Sequence, residues 1–294
     1  MSARRGRVIV VGVDGSSEAL DAARWAGAEA ARRGASVCLV AATQWAVASP
    51  VGVTALGQQS LRVALVEAAE DTLAEAAAEV RRTAPGVAVQ TEVRPGAPAP
   101  VLLAESEQAE LVVLGCRGLG GFAGLLAGSV TISVAASARC PVVVVRGIVG
   151  SSGPLPVVVG VDGSEKGEAA LAFAFSEASA RRLPLVAVHV WSDAMIDPLV
   201  APAIDWTALA AEAEEVLGER LAGWAEKYPD VEVGRRVVRD NAAATLVEMS
   251  IGAHLVVVGS RGRGALRGAL LGSVSQALLR HASCPVAVVR EEES

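Results

Sequence analysis

Gly115-Cys116-Arg117-Gly118 is followed, after nine further residues, by Gly128-Ser129, and Gly259-Ser260-Arg261-Gly262 is followed at the same distance by Gly272-Ser273. Both copies read G-x2-G-x9-G-S. Each directly follows an apolar run, 111–114 or 255–258, and leads into a helix-like segment starting near Val130 or Val274. A strand, a glycine-rich loop and a helix start together form an anion site. Glycine lets the backbone approach a ligand closely and reach positive φ. The unpaired N–H groups of the first helical turn point at a negative group. The Ser129 and Ser273 hydroxyls are placed either to cap the helix or to bond a phosphate oxygen.

Working outward, the pattern belongs to a duplication. Val157-Val158-Val159-Gly160-Val161-Asp162-Gly163-Ser164 matches 9–16 without a gap, differing only at Ile9. Asp162 lies 148 residues after Asp14, whereas Gly259 lies 144 after Gly115, so the halves differ by a net four residues between these points. Cys140-Pro141 and Cys284-Pro285 are also 144 apart. The expected organisation is a first domain over 1–146, a Gly/Ser/Pro-rich linker over 147–156 and a second domain over 157–294. A repeat of this size is too long for a solenoid.

The order of elements repeats as well. In the first half, strands are predicted over 8–13, 36–42, 87–93, 111–114 and 141–145. Helices are predicted from Ser17 to about Arg33, over 61–83 and over 99–107, with a loop over 43–60. Alternating strands and helices imply a parallel sheet covered on both faces. Ligands of such sheets bind at the carboxyl ends of the strands, where strand order reverses. Asp14 and the Gly115 loop then face one crevice, and Asp162 and the Gly259 loop another.

Composition narrows the partners. A net charge of -6 argues against nucleic acid, and 3% aromatic content argues against base-stacking platforms for single strands. The cysteines Cys38, Cys116, Cys140 and Cys284 show no metal-ligand spacing and suit a reducing compartment. The charge-free stretch 118–138 is long enough to span a bilayer, but it is glycine-rich and its twin carries Arg263 and Arg267. The basic N-terminus leads into an apolar run that ends at Asp14, too early for a signal peptide. A cytoplasmic protein with no membrane partner is expected.

V-G-V-D-G-S after strand one, G-x2-G-x9-G-S after strand four and the closing C-P-V-V-V-V resemble the universal stress protein family, in its tandem two-domain actinobacterial form. The resemblance covers nearly all of both halves. It implies two tandem Rossmann-like α/β domains, each a five-stranded parallel sheet of order 3-2-1-4-5 with helices on both faces. It also implies a regulatory stress-response protein binding one ATP per domain, with Mg²⁺ or Mn²⁺ carried by the phosphates. In the first domain the implied nucleotide residues are Asp14, Gly15, Ser16, Gln44, Gly115, Arg117, Gly118, Gly128 and Ser129. In the second they are Asp162, Gly163, Ser164, Val190, Gly259, Arg261, Gly262, Gly272 and Ser273. Gln44 and Val190 are expected to contact adenine through backbone near the end of strand two. The fifth strands are expected to pair as an intrachain pseudo-dimer, and whole chains to form a homodimer.

Departures from the family pattern mark both domains. Cys116 replaces the serine present as Ser260, and Leu119 stands opposite Arg263. Gly96-Ala97-Pro98 keeps the family's Gly-x-Pro, which Asn241-Ala242-Ala243 lacks, and Asp240 is set against Pro95.

No catalytic residue is assigned. Cys116 beside Arg117 has the setting of a low-pKa thiol, but its twin is a serine, so the loop does not need one. His189, His254 and His281 are scattered, and only His189 lies near a predicted pocket. Gly-Lys-Ser/Thr does not occur, so the loop is not a P-loop, and any hydrolysis is expected to be slow. Three readings stand: a nucleotide-dependent regulator, a slow ATPase or phosphotransferase, and a nucleotide-free dimerising module.

Overall fold

The computed structural model describes residues 7–44, 55–118, 127–146, 154–164, 167–191, 205–262 and 271–291. Leu119, Arg263, Arg267, much of the predicted 43–60 loop and most of the linker lie outside these residues. The chain divides into two compact units, Met1–Val145 and Arg146–Ser294.

The first unit contains strands β1 (Val8–Gly12), β2 (Ser36–Thr43), β3 (Val89–Pro95), β4 (Leu111–Gly115) and β5 (Val142–Val145). All neighbouring strands are parallel, in the order β3-β2-β1-β4-β5. Strands β4 and β5 are buried along their whole length, which accounts for their unbroken apolar sequences. Helices α1 (Ser17–Arg33) and α2 (Ala55–Thr83) pack together, as do α3 (Pro98–Glu105) and α4 (Ser129–Ser137). The small side chains of α1 explain its close fit. Ala22, Ala23, Ala26 and Ala30 are fully buried. A β-carbon on Gly27 would lie 3.1 Å from Val80 Cγ1 on α2.

The second unit repeats the plan with β6 (Val157–Val161), β7 (Leu185–Trp191), β8 (Val233–Arg239), β9 (Leu255–Gly259) and β10 (Val286–Val289). Its order is β8-β7-β6-β9-β10, again parallel throughout. Its helices are α5 (Glu168–Arg181), α6 (Trp206–Lys227), α7 (Ala242–Met249) and α8 (Ser273–His281). The expected 3-2-1-4-5 topology therefore occurs in each unit. Register locates the net four-residue difference. Thr43 pairs with Pro95 and Trp191 with Arg239, so the offset changes from 148 to 144 between β7 and β8.

Several predicted boundaries move. α2 begins at Ala55 rather than Leu61, because the Gly57-Gln58-Gln59 interruption is accommodated inside a long helix. β3 begins at Val89 rather than Val87, because Gly86, at φ 98°, completes the preceding turn. None of the described helices is long and apolar enough to cross a membrane, and α4 has only nine residues.

Both units bury a carboxylate at the same place. Glu29 on α1 pairs with Arg32 and Arg33, and Glu177 on α5 pairs with Arg181. Burial of an unpaired carboxylate would be prohibitive, so the helical i, i+4 arginine is what permits it.

Candidate nucleotide site

The site residues converge at the carboxyl ends of the strands, where the chain turns out of β1 and β4 or out of β6 and β9. These are adjacent parallel pairs, and strand order reverses between them. After β1, Asp14 Oδ1 accepts hydrogen bonds from Ser16 N at 3.1 Å and Ser16 Oγ at 2.6 Å. After β6, Asp162 Oδ1 accepts the same two bonds from Ser164, at 2.9 and 2.7 Å. These short-range bonds hold each carboxylate in one orientation. Gly15 and Gly163 take positive φ, 87° and 72°, to make the turn. Ser16 also caps α1, its hydroxyl accepting from Ala19 N.

The second oxygen of each aspartate faces the glycine loop. A β-carbon on Gly118 would overlap Asp14 Oδ2, and one on Gly262 would lie 2.9 Å from Asp162 Oδ2. Gly118 and Gly262 therefore leave room for the carboxylate. Gly115 has a different reason: a β-carbon there would meet the Glu18 backbone at 2.7 Å, so it lets α1 approach β4.

Beyond each loop the chain returns through one backbone bond, Gly128 N to Cys116 O at 2.9 Å and Gly272 N to Ser260 O at 2.8 Å. Thr131 Oγ1 donates to Gly115 O, and Ser275 Oγ donates to Gly259 O. The expected serine caps are corrected here. α4 and α8 begin at Ser129 and Ser273, and their N-caps are Gly128 and Gly272, which make no side-chain cap bond. Both serines are instead exposed at the first helical position, beside the unpaired N–H groups. Cys116 is buried, as is its twin Ser260. That position is a small buried residue whose carbonyl does the bonding.

In the second unit these elements border a cleft of about 750 Å³. Asp162, Gly259, Arg261, Gly262, Gly272 and Ser273 line it, together with Val190. Its volume is typical of small-molecule sites. His189 also lines it; its Nδ1 lies 2.7 Å from Val161 O. A carbonyl can only accept, so Nδ1 carries the proton. A hollow of about 640 Å³ in the first unit, between α2 and the β2–β3 edge, holds none of the expected site residues. Its presence carries no weight against the convergence of Asp14 with the glycine loop.

Register shows that the two expected adenine positions are not equivalent to each other. Gly12 pairs with Val40 and Gly160 with Val188, so Val190 matches Ala42, and Gln44 matches Ser192, which lies outside the described residues. Gln44 is exposed one residue past β2. Val190 is half-buried inside β7.

The loop after the third strand is corrected by one residue. Gly96 N bonds Thr43 O, and Asp240 N bonds Trp191 O. Asp240 thus stands in the place of Gly96, not Pro95, and Asn241 in that of Ala97. Pro98 opens α3 by removing an N–H that would otherwise be unpaired. Asn241 opens α7 by capping, its Oδ1 accepting from Ala244 N at 3.1 Å. Asp240 is exposed, its carboxylate accepts from Asn241 N, and it is not among the residues lining the cleft.

The units also differ in charge near the loop. Arg117 Nε lies 3.5 Å from Glu18 Oε1. The residue matching Glu18 in the second half is Lys166, outside the described residues. Arg261 is exposed on the cleft and makes no ion pair among the described residues. Glu18 and Trp191 were missed by motif reading, because neither belongs to a repeated pattern.

Two segments, 6–146 and 155–290, match the model of the Universal stress protein family. A universal stress protein of Mycobacterium tuberculosis is 43% identical over 292 residues, covering 96% of both chains. One from Mycolicibacterium smegmatis is 42% identical over 290 residues, again covering 96% of both. The crystal structure of a universal stress protein from Archaeoglobus fulgidus superposes with a TM-score of 0.71 at 22% identity, covering 97% of each chain. That structural likeness concerns the fold.

Proposed function

Since this chain belongs to the universal stress protein family, with one domain in each half, we propose that it is a regulatory protein whose state depends on ATP bound in each unit. One observation carries the reading. Twice in the chain, a strand-one carboxylate held by an Asx turn faces the second glycine of a G-x2-G loop beside a helix N-terminus. Asp14 and Asp162 supply acceptors for sugar hydroxyls. The first turns of α4 and α8, with Ser129 and Ser273, supply donors for phosphate oxygens. Gly118 and Gly262 let each carboxylate sit directly against the glycine loop, at the place where sugar and phosphates would meet. Mg²⁺ or Mn²⁺ would arrive with the phosphates and neutralise part of their charge.

Slow turnover follows from the residue inventory. Among the described residues lining the cleft the only carboxylate is Asp162, which is held by Ser164 and assigned to the sugar, and the chain has no P-loop lysine. The protein is proposed to act in the cytoplasm as a homodimer. Isothermal titration of protein stripped of copurified nucleotide tests the reading, with close to two ATP bound per chain as the expected result. Absence of binding would support the nucleotide-free dimerising module. Turnover near ordinary enzyme rates, about 10 per second, would support an ATPase.

A further inference from the structure

The cleft of the second unit is bordered by an aromatic residue at the end of its second strand. Trp191, the last residue of β7, lines it. The indole is half-buried and stacks on Trp206, with ring centroids 5.8 Å apart and planes 20° from parallel. Arg239 is the register partner of Trp191 across the sheet. Its guanidinium carbon lies 3.7 Å from the Trp206 ring centroid and 5.8 Å from that of Trp191. Stacking and the cation–π contact hold the indole in place without burying it. The other described aromatic cluster, Phe175 with Trp224 and Tyr228, joins α5 to α6, and Phe175 is fully buried. Trp191 instead borders the cleft.

Register puts Thr43 at the matching place in the first unit. Thr43 is buried, and its hydroxyl donates to Arg94 O at 3.4 Å. It offers no π-face.

The cleft also has a direction. Across the strand ends it runs from Trp191 on β7, past Asp162 after β6, to the Gly259 loop after β9 and the start of α8. Neighbouring strands are about 4.8 Å apart, so the aromatic wall and the glycine loop are separated by about 10 Å. An apolar plate, a carboxylate and an anion site, in that order and over that span, match base, ribose and phosphate.

We propose that Trp191 is a specificity-determining residue, recognising the nucleobase by stacking in the second unit. This rests on the nucleotide reading above.

The test compares ATP with inorganic tripolyphosphate, which has the phosphates and no base, by calorimetry on the full chain. Trp191→Thr installs the residue that register matches in the first unit, and Trp191→Phe keeps a π-face. Trp191→Thr is expected to weaken ATP at one of the two sites about tenfold, within the range of base–aromatic stacking. It should leave tripolyphosphate binding unchanged, and Trp191→Phe should recover most of the loss. Unchanged ATP affinity in Trp191→Thr would overturn the proposal. So would equal weakening of ATP and tripolyphosphate, which would mark Trp191 as a structural residue. If the wild-type chain binds neither ligand, the nucleotide reading itself fails, and the proposal with it.

Discussion

The Oδ2 atom of Asp14 occupies the space that a β-carbon on Gly118 would need, 3.3 Å from Asp14 Cγ, and Asp162 and Gly262 repeat the relationship. An acidic side chain from the end of the first strand and a glycine from the end of the fourth are thus matched in shape. Asp14 cannot swing aside without losing its two bonds from Ser16.

Gly118→Ala is therefore expected to displace the Asp14 carboxylate and weaken ATP at the first site at least tenfold. Folding should change little, because the clash falls on the end of one side chain rather than on backbone. Gly262→Ala, with 2.9 Å to Asp162 Oδ2, should act in the same direction and more mildly. Site-resolved calorimetry, with thermal melts as the folding control, decides between this and a purely structural glycine.

Gly128→Asp and Gly272→Asp should each remove binding at their own site, since a carboxylate at the helix N-cap meets the phosphates head on. In the double mutant no ATP should bind, with the circular dichroism spectrum intact. Undiminished binding there would reject the site.

Glu18→Gln is expected to raise the ATP affinity of the first unit two- to fivefold. Glu18 competes with phosphate for Arg117, and a half-exposed ion pair is worth little in itself. Because screening weakens such a pair, the gain should shrink from 50 mM to 500 mM salt. A gain that ignores salt would point to another cause.

Arg182→Gly should stabilise the second unit. Arg182 ends α5 at φ 55°, where the first unit places Gly34 at φ 61°. A β-carbon at Gly34 would meet nothing within 4 Å, so the cost of a side chain in this conformation comes from the backbone alone. The expected gain is about 0.5–1 kcal/mol, or about 2–4 °C in melting temperature.

Alkaline pH should destabilise the protein through its buried thiols. Burial pushes Cys140 and Cys284 up to about 12 and Cys38 up to about 11. In the unfolded chain these groups ionise first, near their ordinary values, so their contribution is intact below about pH 8.5 and is lost as pH rises towards the folded values. Urea midpoints should fall between pH 8 and 10.5, and fall less in a variant with alanine at all three positions. At pH 8 the native thiols should resist alkylation that the denatured chain undergoes.

The sequence by itself determined the duplication, the Asp-Gly-Ser turns, the G-x2-G-x9-G-S loops and a parallel α/β sheet. These features are local or repeat exactly, so spacing alone exposes them. Tertiary structure decided the rest. Register showed that Val190 matches Ala42 rather than Gln44, that Asp240 replaces Gly96, and that Trp191 stands where the first unit has Thr43. It also made Gly128 and Gly272, not the serines after them, the helix caps. The Glu18–Arg117 pair joins residues ninety-nine positions apart. The four-residue difference between the halves hides the equivalence of Asp240 with Gly96, and the backbone bonds to the end of the second strand restore it. Which charges meet at the strand ends depends on how those strands are brought side by side.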